Sequence, residues 1–150
     1  MVKKISRKEL SCCSVCACFN IRKASRVVTQ VYEEAMSKTG LRGTQFTVLV
    51  MVAVFESITI TLLAEKLVMD RTTLTRNLKP LEKQKLIEII PGADRRTRVI
   101  CLTDAGHEML RTALPLWKKA QKKISDFMGS ARLDNLINEL RAIEKVADHS

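Results

Sequence analysis

Apolar side chains recur at three- and four-residue spacing along most of this chain. Within residues 16–37, Phe19, Ala24, Val27, Val28, Val31, Tyr32 and Ala35 follow that period. They predict one long amphipathic helix, closed by Lys38, Thr39 and a stop at Gly40. Residues 44–55 predict a second helix, with Phe46, Leu49, Val50 and Ala53 as its buried stripe. The β-branched run Ser57-Ile58-Thr59-Ile60 predicts a brief strand. A short helix over 62–67 follows, with Leu63, Ala64 and Leu67 inward. After the turn Val68-Met69, Asp70 is a suitable N-cap for a helix over 71–84 that buries Leu74, Leu78 and Leu81. Strands over 86–90 and 97–102 flank the turn Pro91-Gly92-Ala93-Asp94. Thr103 caps a helix running to about residue 127, and a last helix covers 133–146 after the break at Gly129-Ser130. Pro80 and Pro115 fall inside helices, where each removes a backbone donor and is expected to bend its helix.

Helix, short helix, turn, helix and two-stranded hairpin form the order of a winged helix-turn-helix. The predicted fold class is mostly α with a small β-hairpin wing. Residues 1–150 read as one domain. A winged lobe over about 41–103 lies between long helical segments over about 8–39 and 105–148. The first and last helices carry apolar faces that a chain this small cannot cover by itself.

Composition sharpens this picture. Hydrophobic residues make up 46% but aromatics only 4%, so the core is aliphatic. The net charge is +10, which favours a polyanionic partner. No run of eighteen apolar residues is present, which predicts no membrane partner. The basic start, with Lys3, Lys4, Arg7 and Lys8, leads into a cysteine-rich stretch and not the apolar run of an export signal. That places the chain in the cytoplasm, with its five cysteines as thiols. Phosphate loops, metal-ligand spacings and nucleophile–base pairs are missing from the sequence. The reading is therefore of a non-enzyme with no cofactor and no metal.

Candidate chemistry lies on the 71–84 helix and the hairpin. At 100° per residue from Leu74, Thr72, Arg76 and Lys79 point away from the core, flanked by Thr73, Thr75 and Asn77. Hydroxyls, an amide and a guanidinium can hydrogen-bond base edges or phosphates, and Arg76 can take a guanine edge with two bonds. Arg71, near the helix start, fits a phosphate. Arg95, Arg96 and Arg98 cluster at the hairpin tip, where guanidinium groups suit a narrow minor groove. Asp94 is placed to orient one of them.

The run from Ile60 to Leu110, with "LAEKL", "DRTTLTR", "LEKQKLIE", "ADRR" and "LTDAGHEML", resembles the MarR (multiple antibiotic resistance) regulators. The resemblance extends over about residues 16–143. It implies a homodimer whose terminal helices interlock and whose paired recognition helices and wings read a near-palindromic double-stranded DNA operator. It also implies that Asp94 and Arg96 are the wing's acidic and minor-groove positions.

The sensing chemistry stays open. Cys12, Cys13, Cys16 and Cys18 lie close in sequence; on a continuous helix Cys16 would share a face with both Cys12 and Cys13. One reading is plain packing near the dimer interface. Another is redox sensing: Cys18-Phe19 resembles the cysteine–phenylalanine pair of the family's organic-peroxide sensors, and Arg22 lies one turn away. The tyrosines of that group are missing from residues 20–22 and from the second helix. A third reading is a shared thiolate site for zinc or copper(I). Cys101 reads as packing. The resemblance further implies an effector crevice between the dimer helices and the winged lobe, for which Trp117, Met109, Phe127 and Phe19 are candidates. The alternatives to an operator-specific repressor are a peroxide-reactive or metal-responsive thiol protein and a non-specific architectural DNA binder.

Overall fold

A computed structural model describes residues 4–94 and 96–146. A short helix α1 (Arg7–Leu10) and a 3-10 turn (Ser11–Val15) lead into α2 (Ala17–Met36). Then come α3 (Gly43–Phe55), β1 (Ser57–Thr59), α4 (Ile60–Lys66), α5 (Arg71–Lys83), β2 (Ile87–Pro91), β3 (Arg98–Leu102), α6 (Asp104–Met128) and α7 (Ser130–Glu144). Arg95 and residues 147–148 of the expected C-terminal segment lie outside the described residues.

The helix expected over 16–37 is α2, whereas the helical segment expected from about residue 8 is not continuous with it. Cys16 is extended (φ −62°, ψ 116°) and ends the 3-10 turn, so α2 begins only at Ala17. Ser6 nucleates α1 separately, through a reciprocal cap with Glu9. Cys12, Cys13 and Cys16 therefore do not share one α-helical face.

The core is aliphatic and sits in the winged lobe. Leu49, Val48 and Val52 of α3, Leu63 of α4, Leu74, Leu78 and Leu81 of α5, and Ile100 of β3 are all fully buried. Burying each such side chain contributes about 1.5–3 kcal/mol. The buried stripe of α3 differs from the expected one. Gln45, Phe46, Val48, Leu49 and Val52 are inside, whereas Val50 and Ala53 are half-exposed. An almost wholly apolar helix gives periodicity little contrast to work with. Leu67, expected inward, is half-buried.

Two hairpin strands and the earlier short strand form one antiparallel sheet in the order β1-β3-β2. Ile58 stands opposite Ile100, and Ile100 opposite Ile89, so one sheet face meets the helices. The turn between α4 and α5 is a Schellman closure: Met69 N–H donates to the Ala64 carbonyl (2.9 Å) and Val68 N–H to the Glu65 carbonyl (3.1 Å). Val68 occupies the left-handed position at φ 50°, a strained place for a β-branched residue. Helices α5 and α6 continue through Pro80 and Pro115.

Candidate nucleic-acid interface

Asp70 starts α5. Its carboxylate accepts from Thr73 N–H at 2.8 Å and from the Thr73 hydroxyl at 2.5 Å. These bonds, the hydroxyl's first, hold the Asp70 carboxyl below its ordinary pKa. Buried Leu74, Leu78 and Leu81 then fix the helix's rotation, which leaves the opposite face in solvent.

Arg71, Thr72, Thr75, Arg76 and Lys79 line one concave surface on that face, enclosing about 360 Å³. No carboxylate lines it. None of its three cations makes an ion pair among the described residues. Lys79 completes a set that the side-chain chemistry of the flanking residues had drawn attention away from, although its spacing from Leu74 already put it there. Two expected members are turned to other uses. Thr73 spends its hydroxyl on Asp70, and Asn77 is half-buried with its amide toward the Met69 sulfur. Thr75 donates to the Arg71 carbonyl at 2.7 Å, which leaves its exposed hydroxyl oxygen able to accept.

The hairpin tip is closed by its own backbone. Gly92 N–H donates to the Thr97 carbonyl (3.1 Å), and Thr97 N–H to the Asp94 carbonyl (2.8 Å). A Cβ on Gly92 would lie 2.2 Å from the Thr97 hydroxyl oxygen, so the tight crossing calls for glycine. Asp94 accepts from the backbone N–H of Arg96 at 2.9 Å and so orders the loop. Arg96 is exposed at the tip. Arg98 is exposed but belongs to β3, opposite Pro91, and not to the turn itself.

The winged helix-turn-helix is shared with known proteins at the level of both sequence and fold. The MarR family pattern matches residues 39–97. An uncharacterised HTH-type transcriptional regulator of Bacillus cereus is 30% identical over 121 residues, covering 81% of this chain and 80% of that protein. The chain belongs to the MarR family. It is therefore a DNA-binding transcriptional regulator and not an enzyme. The organic hydroperoxide resistance transcriptional regulator of Bacillus subtilis is 32% identical over 90 residues, 59% of this chain; the match spans only 61% of that relative's length. Among solved structures, the M. tuberculosis transcriptional regulator MosR in complex with DNA superposes with a TM-score of 0.81 at 32% identity, covering 89% of this chain and 97% of that one. The transcriptional repressor CouR, bound to a 23-mer DNA duplex, has the same fold, with a TM-score of 0.81 at 23% identity and coverage of 95% of this chain and 99% of that one.

In this MarR-family regulator a cavity opens beside the winged lobe. It encloses about 300 Å³ between α2 and α3, with Tyr32, Met36, Phe46 and Trp117 in its wall. Phe46 and Trp117 stack with ring centroids 6.3 Å apart. The Tyr32 hydroxyl donates to Gln121 Oε1, and burial raises the Tyr32 pKa. Trp117 borders this cavity within the single chain. Met109 packs against the core, while Phe19 and Phe127 stand 55% and 90% exposed. The cysteines are thiols: Cys12, Cys13, Cys16 and Cys18 are exposed and Cys101 is half-buried. Among the described residues, no three His, Cys, Asp or Glu side chains converge on a point that would hold a metal ion.

Sequence reasoning missed the joint between the recognition helix and α6. The Thr103 hydroxyl donates to the Lys85 carbonyl at 2.6 Å and accepts from Gly106 N–H at 3.1 Å. Thr103 N–H donates to the Leu86 carbonyl at 3.2 Å. Thr103 was legible as a cap. That the same oxygen also clamps the exit of α5 depends on a contact across 18 residues, which no local pattern carries.

Proposed function

We propose that the chain works in the cytoplasm as a homodimeric, operator-specific repressor of double-stranded DNA, released by a small ligand or by thiol oxidation. The observation that carries this reading is the concave cationic face of Arg71, Thr72, Thr75, Arg76 and Lys79, with no carboxylate lining it, followed by a wing tipped with exposed Arg96. Helix α5 enters the major groove. Arg76 reads a base edge, Arg71 and Lys79 meet phosphates, and Thr72 and Thr75 supply short polar contacts. Arg96, with Arg95 and Arg98, follows the adjacent minor groove. Thr73 and Asn77 act as supports for the helix start and its inner edge.

Dimerisation answers the apolar surface left on the terminal helices. Phe19, Val27 and Val28 of α2, Phe127 of α6, and Leu136, Leu140 and Ile143 of α7 are exposed in the single chain. A two-fold partner covers them and sets two recognition helices about one DNA turn apart, matching a near-palindrome. Replacing Arg76 and Arg96 together by alanine is expected to abolish operator-specific binding while sedimentation still gives a dimer. Wild-type affinity in that variant would refute the assignment.

A thiol trigger is favoured by the exposure of Cys18 in the first turn of α2, beside Cys16 at the helix break. A small-ligand trigger is favoured by the aromatic cavity of Tyr32, Phe46 and Trp117. Organic hydroperoxide separates the two. Under the thiol reading it releases wild-type protein from DNA and leaves the Cys18→Ser variant bound. Under the ligand reading it releases neither.

A further inference from the structure

Met69, in the turn between α4 and α5, is half-exposed and borders an open crevice with Thr61, Glu65 and Arg71. Other methionines are better protected: Met36 is fully buried, and Met51 and Met109 pack against the core. Asn77, in the second turn of α5, directs its Nδ2 at the Met69 sulfur, 4.0 Å away. That is the only hydrogen bond the Asn77 side chain makes among the described residues. A thioether is a weak acceptor, so this half-buried amide donor is poorly satisfied. The adjoining backbone is strained as well, with Val68 left-handed at φ 50°.

We propose that Met69 is a modification site: its sulfur takes one oxygen atom from a hydroperoxide, and Asn77 holds the resulting sulfoxide. A sulfur lone pair attacks the outer peroxide oxygen. The O–O bond breaks as the S–O bond forms, and sulfur is oxidised by two electrons. The proton on the transferred oxygen passes to the departing alkoxide, which leaves as an alcohol, or as water from hydrogen peroxide. The new oxygen takes the lone-pair position that faces Asn77. The 4.0 Å gap accepts it at an ordinary N–H···O length of about 2.9 Å, with the bent angle an oxygen lone pair prefers and without moving either residue. A strong acceptor thus replaces a weak one, and the turn becomes tied to α5. The tie fixes how α5, with Arg71, Thr72, Thr75, Arg76 and Lys79, sits on α4. Its consequence for DNA rests on the reading of α5 given above; the site itself does not, and it uses none of the thiols.

The test uses the full chain as C12S/C13S/C16S/C18S, which removes the exposed thiols, treated with hydrogen peroxide and without DNA. Peptide mass spectrometry is expected to show one added oxygen on Met69 before Met36, Met51 or Met109. The same chain with M69L reports the effect of every other methionine. Relative to it, the oxidised parent should melt about 2–4 °C higher, the shift one added hydrogen bond gives a chain of this length. With N77L, oxidation should instead lower the melting temperature, because the sulfoxide is then left without its donor. Hydrogen exchange of the amides over 67–73 should slow roughly threefold or more on oxidation of the parent, and this reads the tie even if N77L does not fold. The proposal is overturned if Met69 stays unmodified while Met51 or Met109 oxidises, if the oxidised parent melts no higher than treated M69L, if N77L gains as the parent does, or if exchange over 67–73 does not slow.

Discussion

Replacing Gly106 by alanine reverses the usual effect of that substitution. In a helix, alanine is normally favoured over glycine by about 1 kcal/mol. Gly106 is the third residue of α6, and its Cα lies against the strand entry. A Cβ there would sit 2.0 Å from the Leu86 carbonyl oxygen and 3.1 Å from its carbon. Both are backbone atoms, so no side-chain rotation relieves the clash; α6 must move away from β2. Overpacking of this kind costs about 1–3 kcal/mol. The movement also pulls Thr103 from the Leu86 N–H···O bond and the Lys85 bond, at 3.2 and 2.6 Å. Each such bond contributes about 1 kcal/mol. Set against the helical gain, the net is a destabilisation of about 2–4 kcal/mol, or roughly 5–15 °C in melting temperature for a chain of this length. Urea denaturation followed by circular dichroism, at one fixed protein concentration, measures it. Gly43→Ala is the control, because a Cβ at Gly43 meets nothing within 4 Å. It should be neutral or mildly stabilising. A Gly106→Ala variant as stable as the wild type would refute the joint between α6 and the exit of the recognition helix.

Three further outcomes follow from the same geometry. Arg76→Ala is expected to reduce operator preference over random DNA at least tenfold, whereas Lys79→Ala weakens binding to all sequences alike and lowers the salt slope by about 0.9; binding isotherms at several salt concentrations separate the two. Val68→Gly relieves a left-handed β-branched residue at φ 50° and should stabilise the chain by about 1 kcal/mol in urea denaturation. The bonds from Thr73 lower the folded-state pKa of Asp70, so its contribution is complete above the ordinary aspartate value of about 3.9 and is lost as pH falls through the lower folded value. The wild type should therefore lose stability more steeply on acidification below about pH 4 than Asp70→Asn does, and parallel pH profiles would contradict the cap.

Most of the winged lobe was legible because its signals are local. Asp70 as a cap, Leu74, Leu78 and Leu81 as one buried face, and the turn at Pro91-Gly92 each declare themselves within a few residues. The helix over 16–37 was legible to within one residue at each end; the segment before it was not, because the cysteines and Val15 offer a helical spacing across Cys16, where only the backbone angle marks the break. The stripe of α3 was misplaced because Val50 and Ala53 are as apolar as the buried Val48 and Val52. At the interface, hydrophobic periodicity found the outward face but did not reveal which polar groups were already engaged. Thr73 and Asn77 look as available as Thr72 and Thr75 until their partners, Asp70 and Met69, are located. The aromatic cavity was missed in the same way: Tyr32, Phe46 and Trp117 meet across three helices.

The most direct test of the central claim is fluorescence anisotropy of the purified protein on genomic fragments, including the one upstream of its own gene. It is run at near-physiological salt in the presence of excess random-sequence DNA. Binding to at least one fragment about a thousandfold tighter than to random DNA is the expected result. If no fragment outcompetes random DNA, the face of α5 does not read sequence and the operator-specific account is wrong.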